Sequence, residues 1–194
     1  MEAAQGGAGT LIVLGLDPAA AGPTGYGIVE SDGRRCRMLH YGALRAACGR
    51  NGESAEAGLR QVHALVERLL REFRPDVVAV ESVFAALNLK TALRLAEVRG
   101  VVLLAAAQGG VPVRSYSPRE VKASVAGYGQ ASKEQMQAMV RSLLEMRETP
   151  QPADAADALA VALCHIQTER GRARLGAVPR LAARRGSTHA KMVR

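Results

Sequence analysis

The chain is 194 residues long, 48% hydrophobic but only 3% aromatic, and carries a formal charge of +8. That length predicts one domain with a full core of Leu, Val and Ala, and the longest apolar run, VVLLAAA, is too short to span a bilayer. Three cysteines without metal-ligand spacing argue against a disulfide framework, and the N-terminus lacks the segments of a signal peptide, so a reducing, cytoplasmic setting is expected.

Residues 1–9 are expected to be a disordered extension, and residues 10–169 the folded domain. Strand-like TLIVLGLD ends in Asp17 and runs into a Gly- and Pro-rich turn. GYGIVES and RRCRMLHYGALR read as two strands joined at Asp32-Gly33, a hairpin signal. Leu59, Val62, Leu65, Val66, Leu69 and Leu70 have helical spacing, closed by Pro75, and DVVAVESVF restores a strand. Residues 89–108 predict a second helix with an apolar stripe of Leu89, Ala92, Leu93 and Ala96, stopped by Gly109-Gly110. VPVRSY is a short strand, and a helix follows around 118–125. Ser132 caps the next, through Glu145, and Pro152 opens the last, which runs to about Glu169. The order β-β-β-α-β-α-β-α-α-α predicts an α/β fold with a mixed sheet covered on both faces.

A pI near 10 points to a polyanionic partner, but the charge is uneven. Residues 1–165 hold 18 basic and 17 acidic residues, whereas 166–194 hold 8 and 1. Residues 170–194 are therefore expected to form a basic, flexible tail. A solubilising run and a nucleic-acid arm explain it equally.

The candidate chemistry lies in four acids. Asp17 ends one inner strand and Glu81 interrupts another, where an ionised carboxylate is costly without a counter-charge. Asp154 and Asp157 sit at i and i+3 near the start of an apolar helix, on one face. Asp17 before Pro18 also suits a turn, and Asp154 also suits a helix dipole; Glu81 and Asp157 have no such excuse. Few cations lie near them in sequence, so a divalent metal is the natural counter-charge. Oxygen-only ligation suits Mg²⁺, with Mn²⁺ as substitute, and two such ions clamp the oxygens of a phosphoryl displacement.

The blocks LGLDP…TGYG, VAVESVFAALN, ALRLAEVRGVV, REVKASVAGYGQASKEQM and ADAADALAVAL, in order from Leu11 to His165, closely resemble the RuvC family of Holliday-junction resolvases. The resemblance implies a ribonuclease H-like fold with one five-stranded mixed sheet, and a homodimer acting on four-way junction DNA. It implies Mg²⁺-dependent paired nicks at symmetric positions, leaving 5′-phosphate and 3′-hydroxyl ends, in recombination and repair. Asp17, Glu81, Asp154 and Asp157 match the family's catalytic, metal-holding acids. Phe84 matches an aromatic that stacks at the junction, Asn88 falls in the same block, and Lys122 and Lys133 match basic positions near the scissile phosphate. A branch-migration motor is a further partner the family suggests. One departure stands out: Ala19 replaces a family glycine after Asp17-Pro18, and the loop to TGYG is one residue longer. The alternatives are a ribonuclease H-like nuclease acting on RNA or RNA–DNA hybrid, and a non-catalytic DNA-binding module. The module leaves four phosphate-repelling carboxylates unexplained.

Overall fold

Strands β1 (Leu11–Asp17) and β4 (Val77–Glu81) are apolar at nearly every position because each is inner to the sheet and covered on both sides. The computed structural model describes residues 10–20, 22–46, 55–82 and 88–176. The remaining elements are β2 (Thr24–Ser31), β3 (Cys36–Leu44), α1 (Ala55–Phe73), α2 (Leu89–Gln108), β5 (Val113–Tyr116), α3 (Pro118–Ala126), α4 (Lys133–Leu143) and α5 (Ala153–Gly176). The mixed sheet has the expected five strands, in the order β3-β2-β1-β4-β5. β1, β2 and β3 form an antiparallel unit, and β4 and β5 join β1 in parallel.

Alternate residues of the central strands feed two separate cores. Leu14, Leu16, Val78 and Val80 meet α1 and α2, whereas Val13, Val77 and Ala79 meet α3, α4 and α5. The hairpin closes at the expected place: Gly33 has a φ of +87°, and Asp32 Oδ1 accepts from the amides of Arg34 and Arg35 at 2.7 and 2.6 Å. α3 and α4 each open with a capping box, Ser117 with Glu120 and Ser132 with Gln135.

Two boundaries differ from expectation, and one face left open by sequence is assigned. α4 ends at Leu143, two residues early, where Glu145 takes a φ of +50°. α5 outruns the expected end at Glu169 and continues to Gly176. Arg170, the first residue of the expected tail, bonds Ser31 Oγ at 2.9 Å and the Arg35 carbonyl at 3.1 Å, which ties this stretch to the β2–β3 hairpin. On α2 the residues packed on the core are Val98, Val102, Ala105 and Ala106; Leu89 and Leu93 are 75% and 57% exposed. The stripe read from sequence points away from the sheet.

Candidate active site

The β1/β4 register builds the centre of the site. Val13 lies opposite Val77 and Gly15 opposite Ala79, so Asp17 and Glu81, two residues further along each strand, share one face at adjoining strand ends. That face is the one covered by α5.

α5 brings the other two acids because glycines let its first turns lie close on the sheet beneath. Gly25 pairs with Asp17 across β1 and β2, and a methyl there would collide with the Asp154 backbone carbonyl. A methyl on Gly15 would strike the carbonyl of Ala158, and one on Gly27 would come within 2.7 Å of Leu159. The helix answers with small residues of its own, Ala155, Ala158 and Ala162, all buried. Glycine inside a strand marks such a close approach of backbone. Spacing at Gly15, Gly25 and Gly27 was the signal for these positioning residues, which the acid-centred reading passes over.

A cavity of about 230 Å³ opens among Asp17, Glu81, Lys122, Lys133 and Asp157. Burial, then the neighbouring carboxylate of Glu81, pushes the Asp17 carboxyl up to about 8, with Asp157 and Asp154 adding to the effect. Burial also raises Glu81, against the hydrogen bond from Asp17 and the charge of Lys122, which lower it. Protonated Asp17 therefore donates to the Glu81 carboxylate, as like charges this close do not both ionise in a half-buried site. Lys133 Nζ lies 3.2 Å from Asp157 Oδ2, and that charge holds the ammonium above its ordinary range.

The structure thus groups all four predicted acids, three at the cavity and Asp154 close enough to act on Asp17 and Lys133. Lys122 and Lys133 stand on its rim. Asn88 has a local role, as its Oδ1 accepts from Thr91 N at 3.0 Å and caps α2. Phe84 lies outside the described residues.

The donor set fits a hard divalent cation. Every candidate ligand is a carboxylate oxygen, and the Asp17 carboxyl is held at about 8 by burial first and by the neighbouring carboxylates second, a setting that a bound cation would relieve. Among the described residues, no three acids, histidines or cysteines are gathered at the spacing that ligates one ion. The proton between Asp17 and Glu81 and the ammonium of Lys133 hold the carboxylates in other pairings.

The family model described as "Crossover junction endodeoxyribonuclease RuvC" matches residues 13–165. The chain belongs to the RuvC family. A curated RuvC relative from Natranaerobius thermophilus is 46% identical over 165 residues, covering 85% of this chain and all of the relative. One from Salinispora arenicola is 45% identical over 177 residues, 90% of this chain and 98% of the relative. Among solved structures, Thermus thermophilus RuvC in complex with a Holliday-junction substrate superposes with a TM-score of 0.78 at 37% identity, covering 84% of this chain and 96% of that one. The yeast mitochondrial resolvase Ydc2, at 15% identity and a TM-score of 0.59, shares the fold alone. The fold is ribonuclease H-like, and RuvC-family proteins are metal-dependent nucleases.

Proposed function

We propose that this chain resolves four-way DNA junctions by paired, symmetric phosphodiester hydrolysis, leaving ligatable 5′-phosphate and 3′-hydroxyl ends. The observation that carries this reading is the carboxylate cluster at the β1/β4 strand ends, with Asp17 pushed up to about 8, in a chain of the RuvC family.

Asp17, Glu81, Asp154 and Asp157 would hold Mg²⁺, with Mn²⁺ as substitute and two ions per site. Bound metal supplies positive charge to the phosphate oxygens and makes water a stronger nucleophile at neutral pH. Asp17 and Glu81 give up their shared proton to take part, so binding strengthens as pH rises. Lys133, released from Asp157, and Lys122, beside Glu81, are placed to offset charge on the phosphate as it builds in the transition state. Phe84 stacks on an unpaired base, and Asn88 contacts the same DNA segment while capping α2.

A junction has approximate twofold symmetry, and coordinated nicks need two sites related by a matching axis. The outward face of α2 suits a second copy of the chain. Leu89, Leu93 and Leu104 are 75%, 57% and 52% exposed, and Ala96 and Gly100 between them leave room for close helix approach. A branch-migration motor, the further partner the family implies, would act on the same DNA. No helix among the described residues is long and apolar enough to cross a membrane, and a cytoplasmic setting fits the proposed action on DNA. The folded nuclease domain extends to Gly176, with residues 177–194 as a basic tail.

The reading is tested by Asp17→Asn and Glu81→Gln. Each abolishes cleavage of a synthetic four-way junction in Mg²⁺ while junction binding persists. Retained cutting by either variant contradicts the assignment.

A further inference from the structure

A second concave site lies on the opposite face of the sheet from the carboxylates, and nothing in the catalytic reading uses it. It is a cavity of about 240 Å³, bounded by the α1 and α2 side of the sheet and by the loop that leaves Asp17. Three cations line it: Arg45, just past β3, and Lys90 and Arg94, in the first two turns of α2. Thr24 and Thr91 add hydroxyl groups, and Ala19 brings the loop backbone to its edge. Among the described residues no carboxylate lines the cavity, and none of the three cations forms an ion pair with one of them.

Folding alone gives no reason for this arrangement. Lys90 sits in the first turn of α2, where the helix dipole disfavours a positive charge, and that turn holds no acid to offset it. Lys90 and Arg94 are four residues apart, a spacing at which like charges repel along a helix. Arg45 is brought beside them from the end of β3. Three cations gathered in a concavity, with no ion-pair partner among the described residues, raise the local potential and attract an anion.

We propose that this cavity is a second DNA-backbone site, in which Arg45, Lys90 and Arg94 hold phosphodiesters of the strand that continues past the scissile phosphate. The ligand is anionic because the lining charge is wholly positive. It belongs to the same DNA because Ala19 and Ala20, two and three residues past Asp17, line the cavity together with Thr24 at the start of β2. The longer, Ala-rich form of that loop therefore bears on DNA seating as well as on the metal site. This inference rests on the junction-DNA reading above.

The test compares the full chain with Lys90→Gln/Arg94→Gln, and with Arg68→Gln/Arg141→Gln, which loses the same charge on exposed helix faces elsewhere. Junction affinity is measured by fluorescence anisotropy in EDTA from about 50 to 200 mM salt, where each lost phosphate contact lowers the slope of log K against log salt by about 0.9. Loss of two contacts lowers the slope by about 1.8, so the unmodified chain weakens about 12-fold more than the Lys90/Arg94 variant over that fourfold salt range. The control pair keeps the original slope. The melting temperature of the Lys90/Arg94 variant does not fall, because the removed charges oppose the helix dipole. An unchanged slope, or an equal drop in the control pair, overturns the second site while leaving the nuclease assignment intact. An unmodified chain that neither binds nor nicks junctions overturns both.

Discussion

Replacing Asp17 by Asn should make the metal-free protein more stable even as it destroys cleavage. In the fold the Asp17 carboxyl is held at about 8, whereas its ordinary value is 3.8. Between these values the folded chain keeps a proton that the unfolded chain has released, so stability falls as pH rises from about 4 to about 8. At pH near 7.5 the gap of roughly 4 units, at about 1.36 kcal/mol each, sets a ceiling of about 5 kcal/mol. Glu81 shares that proton, so a gain of about 2–5 kcal/mol is the expected range for Asn. The Asn amide still donates to Glu81 but has nothing to ionise.

Urea unfolding in EDTA, repeated between about pH 5 and pH 8.5, measures this directly. The unmodified chain loses stability as pH rises, the Asn variant holds nearly level, and the curves separate toward alkaline pH. Added Mg²⁺ then stabilises the unmodified chain increasingly with pH, by the mass action of a ligand that binds the folded state, and stabilises the Asn variant far less. Parallel pH profiles, or an Asn variant less stable than the parent at the alkaline end, would refute the claim of excess negative charge at the site.

Gly25→Ala drives a methyl into the Asp154 carbonyl and lifts the start of α5 from the sheet. It should cost about 1–3 kcal/mol and lower kcat without weakening junction binding, whereas near-normal kcat would show that this close approach is dispensable. Leu93→Glu places a charge in the exposed apolar face of α2. Analytical ultracentrifugation should then report monomer, with single nicks replacing paired ones; a persisting dimer removes α2 from the interface. Truncation after Gly176 removes five basic residues and no acid. Cleavage should remain while junction binding weakens more steeply than normal when salt is raised from a low level, and unaltered salt dependence would separate the tail from DNA.

The parts legible in sequence were those that a local pattern encodes. Continuous apolar runs gave β1 and β4, the Asp32-Gly33 turn gave the hairpin, and the misplaced acids gave the site. Pairings between distant segments were not legible. The spacing of Lys133 and Asp157 says nothing of their ion pair, and Asp17 and Glu81 share a proton only because the β1/β4 register aligns them. α2 was ambiguous for a different reason: it is apolar on two faces, so periodicity found a stripe without saying which one meets the sheet. α5 outran its expected end because the polar stretch after Glu169 lacks helical periodicity, while Arg170 anchors it to the hairpin. The basic cavity draws its charges from β3 and α2, and no window of sequence contains all three.

The central claim is that carboxylates from two strands and one helix meet to hold metal against a DNA phosphate. Its most direct test presents the purified chain with a synthetic four-way junction, a linear duplex and an RNA–DNA hybrid, each with and without Mg²⁺. Nicking of the junction alone, in Mg²⁺ alone and at symmetric positions on opposing strands, is the predicted result. Cutting in the absence of metal, or preferential cutting of the hybrid, contradicts it.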